Sequence, residues 1–97
     1  MPVVTTARVA TPHASRYLQQ LCRHWSHRFV VEHTPDAGEV ALPAGPLTLT
    51  AEPDTLVLRL SVADAEEVAR VQGVVAELLD RFAFREGPLE YDWRVDG

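Results

Sequence analysis

The sequence contains no lysine; all nine of its basic side chains are arginine. That absence excludes Schiff-base chemistry and the phosphate-binding lysine of nucleotide-cradling loops. There is one cysteine, Cys22, so no intramolecular disulfide and no Cys-x-x-Cys metal or redox motif can form. No apolar run approaches the roughly 20 residues that a bilayer span requires. The opening Met1-Pro-Val-Val-Thr-Thr-Ala-Arg8 lacks the apolar core of a secretory signal. A cytoplasmic protein with no membrane partner is the expectation. No basic cluster is interleaved with aromatics, and with a net charge of −5 a nucleic-acid partner is not expected either. Nothing in the sequence asks for a cofactor.

What is present suits one domain spanning residues 1–97, with enough apolar material (46%) for a single packed core. Charge is unevenly placed. Residues 1–31 hold Arg8, Arg16, Arg23 and Arg28 and no acid, whereas all fourteen acids and the other five arginines follow Glu32 or stand at it. The basic first third can meet the acidic remainder within the fold, attract a small anionic ligand, or face the acidic surface of another copy.

Read in order, Val3–Ala10 is rich in β-branched residues and predicts a strand. Thr11 and Pro12 fit the cap and first position of a helix running to about His27. Further strands follow at Arg28–His33, Glu39–Leu42, Leu47–Ala51 and Thr55–Leu60, with turn residues between them. Ser61-Val-Ala-Asp64 has the form of a capping box and predicts a second helix to about Phe82, stopped by Gly87-Pro88. Gly73 lies in that helix as a surface glycine or a point of close backbone approach. The tail Leu89-Glu-Tyr-Asp-Trp-Arg-Val95 alternates strictly and predicts a closing strand whose apolar side needs a sheet edge or another subunit to cover it. The expected fold is α+β in the order β-α-β-β-β-β-α-β, an antiparallel curved sheet with both helices on one face. This order resembles one half of the TATA-binding-protein-like arrangement with a strand added, a likeness of topology alone.

The first helix carries the chemistry. Ala14, Leu18, Leu21, Cys22 and Trp25 form its apolar stripe, which should pack on Leu56, Leu58, Leu60, Val68, Val75 and Leu79. Cys22 then behaves as a small buried hydrophobe. His13, Tyr17, Gln20, His24 and His27 fall in a narrow arc on the opposite side, so three of the four histidines share one face. His13, Arg16 and Tyr17 at the helix start, with Gln20 and His24 further along, are the candidate ligand-binding residues for a carboxylate, catecholate or phosphate. The same residues also suit a solvated helix face. His24 and His27 are the candidate metal ligands if the helix continues through Ser26, with His33 or a carboxylate needed to complete the site. His13 lies roughly 16 Å along the axis from His24 and cannot share that ion.

Thr11–His27, together with Arg81-Phe-Ala-Phe-Arg-Glu86, resembles the bacterial family called domain of unknown function 2218, and the likeness runs from the first strand to Trp93. Members of that family are small stand-alone proteins or are joined to siderophore-interacting proteins that act in ferric-siderophore reduction. The resemblance implies an association with iron acquisition and transfers no catalytic residue. Three readings of function follow: a non-catalytic module binding a small anionic or iron-chelate ligand, a small enzyme using His13, Tyr17 and His24, and a homodimerisation module whose tail covers a partner.

Overall fold

The structure, a computed structural model, describes residues 2–86 and 89–96. Its elements are β1 (Val3–Ala10), α1 (Ala14–Trp25), β2 (Val31–His33), β3 (Ala37–Leu42), β4 (Gly45–Glu52), β5 (Thr55–Val62), a 3-10 turn (Ala65–Glu67), α2 (Val68–Phe82) and β6 (Arg94–Asp96). The six strands form one antiparallel sheet in the order β2-β3-β4-β5-β1-β6. The fold is α+β, as the hydrophobic pattern predicts.

Alternation decides which side of the sheet is covered. Ala7 and Val9 of β1, Val40 of β3, Leu47 and Leu49 of β4, and Leu56, Leu58, Leu60 and Val62 of β5 are fully buried on one face. Upon them lie Leu18, Leu21, Cys22 and Trp25 of α1 and Val71, Val75, Leu78 and Leu79 of α2, in a single core. Val68 is half-buried against it. Thr5 shares the covered face, and its hydroxyl is satisfied by Gln72 Nε2 at 3.0 Å, which places α2 over β1.

Several boundaries differ from the sequence pattern, and four of them have a plain tertiary reason. Ser61 does not cap a helix. It and Val62 continue β5, paired with Val4 and Val3, because Val62 is the next inward position after Leu60. The cap passes to Asp64, whose Oδ1 accepts the Glu66 N–H at 3.0 Å. Likewise α1 starts at Ala14 with His13 as cap residue, and not at Thr11. The Thr11 N–H bonds the Asp54 carbonyl in the β4–β5 turn at 3.0 Å, and its hydroxyl accepts the His13 N–H in the turn that leads into α1. Strand β2 begins at Val31, since residues 26–29 turn instead and fold Phe29 back on Trp25. In the tail only Arg94–Asp96 pairs with the sheet. The Tyr91 hydroxyl donates to Asp80 Oδ1 at 3.1 Å, beside the Ala76 carbonyl, and the Leu89 N–H reaches the same Oδ1 at 3.2 Å. These bonds fasten Leu89–Trp93 along α2. The predicted helix stop at Gly87-Pro88 lies outside the described residues.

Two glycines give opposite expectations. Gly45 has φ +147°, and a Cβ there would come within 1.7 Å of the Ser61 carbonyl oxygen. Gly73 is exposed in α2 with open space around it. Gly45→Ala should therefore lower stability by more than ~1 kcal/mol, whereas Gly73→Ala should raise it by about 0.5–1 kcal/mol. Chemical denaturation of the two variants checks the pair. In the core, Leu21→Ala and Leu79→Ala should each cost about 2–5 kcal/mol in the same measurement.

Candidate functional site

The start of α1 is closed by the chain's own carboxylate. Thr11 is buried, and its Oγ1 accepts the His13 N–H at 3.1 Å. The same hydroxyl lies 3.1 Å from both carboxylate oxygens of Glu86, to which it donates. The Tyr17 hydroxyl also donates to Glu86. Tyr17 is only 3% exposed and so does not belong to a solvated face. On a helical wheel it stands about 40° from Leu21, at the border of the apolar arc, and the turn after α2 covers it. Burial, with the Glu86 hydrogen bond and charge added, pushes its phenol up to about 12 against a small opposing pull from Arg16. His13 is exposed, its ring edge-on to Tyr17 at 6.1 Å between centroids.

The candidate arc is thus divided by its surroundings. Tyr17 is inside. Gln20 is half-buried, and its Oε1 has no hydrogen-bond partner among the described residues. His24 is exposed with its ring edge-on to Phe82 at 6.1 Å, and Arg16 and His27 are exposed. Because α1 ends at Trp25, His27 lies in the turn that follows the helix. Among the described residues no group of three or more His, Cys, Asp or Glu side chains is arranged to hold a metal ion. Cys22 is fully buried, burial raises its thiol, and a Cβ added at Gly38 would meet its Sγ at 2.8 Å. It packs as a small apolar side chain against the sheet.

An apolar recess lies at the other end of α1. A groove of about 300 Å³ runs between the end of α1, the β3–β4 turn and α2, lined by Trp25, Phe29, Leu42, Val71 and Val74 with Arg28 and Arg70 at its margins. Trp25 and Phe29 meet edge-on at 6.1 Å, and the Arg28 guanidinium stands 5.9 Å above the Phe29 ring. Arg70 is paired with Glu67, and both are solvent-accessible. A smaller recess of about 190 Å³ adjoins it, sharing Trp25 and Val74 and adding His24, Glu77 and Arg81. His24 lines this smaller recess and not the groove itself. Arg28, Phe29 and Arg70 escape a reading of the sequence because the turn that folds Phe29 back on Trp25 resembles the start of a strand. The one signal available is the spacing of Trp25 and Phe29, one helical turn apart on the apolar stripe.

Comparison with known proteins is informative on kinship. A family model described as an uncharacterised protein conserved in bacteria matches residues 6–94. The NMR structure of PA4090 from Pseudomonas aeruginosa is similar, with 37% identity and a TM-score of 0.79, over 95% of each chain. No curated protein matches the chain.

Both tyrosines of the chain hydrogen-bond a carboxylate, and burial followed by Asp80 pushes the Tyr91 phenol up as well. A phenol held protonated in the folded state makes folding weaken as pH rises from the unfolded value near 10. From Tyr17 alone roughly 2–3 kcal/mol should be lost between pH 10 and 12. Ultraviolet titration of the native protein should show no tyrosinate near pH 10, and Tyr17→Phe should flatten the alkaline loss of stability. A phenol ionising at its ordinary value in the folded state would refute the closed arrangement.

Proposed function

The chain belongs to the uncharacterised bacterial family known as domain of unknown function 2218, and from that premise we propose that it is a non-catalytic accessory module that binds a small anionic ligand with an apolar body. The observation that carries this reading is the groove beside Trp25 and Phe29, where Arg28 and Arg70 flank an apolar floor. A concave apolar recess with a few convergent polar groups is the usual form of a small-molecule site. Guanidinium groups suit carboxylate and other oxyanions because their planar N–H forks match paired oxygen acceptors. An aromatic ring under Arg28 holds that cation in place.

The finer assignment, to an iron-chelate ligand in siderophore metabolism, is supported by the family resemblance. Ferric catecholates combine negative charge with aromatic surface and match the groove in both respects. The candidate residues at the start of α1 enter this reading differently. An anion at Arg16 and Tyr17 would have to displace Glu86, whereas among the described residues no acid lines the groove, and its Arg70 is paired with Glu67.

The test is a fluorescence titration of the Trp93→Phe variant, which leaves Trp25 as the single indole, with a ferric catecholate and with benzoate as a plain aryl carboxylate. Saturable quenching is expected. Arg28→Gln combined with Arg70→Gln should weaken it about tenfold or more while shifting stability by less than ~0.5 kcal/mol, as exposed substitutions do. His24→Ala combined with His27→Ala should leave benzoate affinity unchanged. No quenching by either compound, or quenching indifferent to the arginine substitutions, would overturn the reading.

A further inference from the structure

Both helices lie on one face of the sheet, so the outward positions of all six strands form a second, uncovered face. The register places one row of outward residues straight across it: Arg94, Thr6, Arg59, Thr48, Glu39 and Glu32. The row is basic at the β6, β1 and β5 end and acidic at the β3 and β2 end. Glu39 and Glu32 stand directly opposite each other, a cross-strand arrangement that costs stability unless a cation relieves it. Among the described residues neither glutamate has an ion-pair partner, and Arg59 has none either. Among the described residues Arg94 is paired with Asp92, at 2.9 Å in full view of solvent. Beside the glutamates a depression of about 230 Å³ is lined by Val30, Glu32, Glu39 and Ala41, and Val30 is 75% exposed.

We infer that this uncovered sheet face is an interface for a second copy of the same chain, packed face to face so that Arg59 and Arg94 of each copy meet Glu39 and Glu32 of the other. The charge order selects the symmetry. A two-fold axis lying in the interface along the strand direction lays the basic half of one sheet over the acidic half of its partner. An axis running across the strands would set arginine on arginine. The contact is isologous and closes on itself, as two-fold contacts between identical chains do. The six strands together hold 36 residues, each covering about 4.8 by 3.3 Å of sheet, or roughly 16 Å². Face-on contact therefore covers about 600 Å² per copy, which reaches the lower end of stable interfaces near 1,200 Å² in total. Val4, Val57, Ala37, Ala41 and the threonine methyls supply its apolar part, in a β-sandwich-like layer. The groove lies on the helical side, so this inference stands independently of the ligand-binding reading.

The test is the mass of the full chain in solution, by sedimentation equilibrium at high micromolar concentration and low salt. A dimer of twice 10.8 kDa is expected, weakening as salt screens the charges. Arg59→Glu and Glu39→Arg should each raise the dimer Kd about 100-fold, since each makes like charges meet twice. The two variants mixed together should associate again, because the glutamate introduced at position 59 of one then meets the arginine introduced at position 39 of the other, while the native Glu39 and Arg59 still face each other at the second contact. Arg59→Thr, which removes the charge and places a good strand former there, should weaken association about tenfold. A monomeric wild type under these conditions, a dimer unmoved by the charge reversals, or failure of the mixed variants to pair would each overturn the inference.

Discussion

A six-stranded sheet with two helices has two faces and only one cover, and the rest of the molecule follows from that constraint. Leu47, Leu49, Leu56, Leu58 and Leu60 cannot remain in water, so α1 and α2 are both drawn to their side. The apolar stripe of α1 therefore points into the sheet, with Leu18, Leu21 and Cys22 fully buried. The opposite face is left with threonine, short apolar and charged side chains, which tolerate water and also suit a flat contact.

With both helices on one side, their contact line becomes a chemical boundary. At the start of α1 that line is sealed. Glu86, following α2, accepts from Thr11 and Tyr17, so the end of the second helix is tied to the beginning of the first. Asp80 and Tyr91 make a second tie of the same type, fixing the tail to α2. Each joins a half-buried or buried phenol to a carboxylate, an arrangement that satisfies the phenol O–H without burying a full charge pair. The unlike charges of the two halves of the chain also meet directly, in the Arg8–Glu52 pair between β1 and β4 at 3.0 Å.

At its other end the same line opens. Past Trp25 the chain turns away, and Phe29, Val71 and Val74 are left lining a recess that no side chain fills among the described residues. The guanidinium groups stand at its rim because long cationic side chains cover apolar surface with their stems and keep their heads in water. The groove and the uncovered sheet face lie on opposite sides of the molecule. A ligand on one and a second copy on the other do not compete for space.

The hydrophobic periods by themselves determined the number and order of elements, the apolar stripe of α1, and the inward residues of β5. These follow from spacings of 3.6 and 2 that any buried face must keep. What they could not determine is where polar groups find their partners. Tyr17 reads as part of a polar arc until Glu86, 69 residues away in sequence, claims its hydroxyl. Ser61 reads as a cap until pairing with Val4 holds it in β5. The tail reads as a strand from Leu89, but Asp80 takes the hydroxyl of Tyr91 and pairing with β1 begins at Arg94. The groove and the opposed charges on the sheet likewise arise from residues far apart in the chain. Local periodicity is a property of neighbours along the backbone, whereas hydrogen-bond satisfaction and charge pairing are settled among neighbours in space, which only the folded chain supplies.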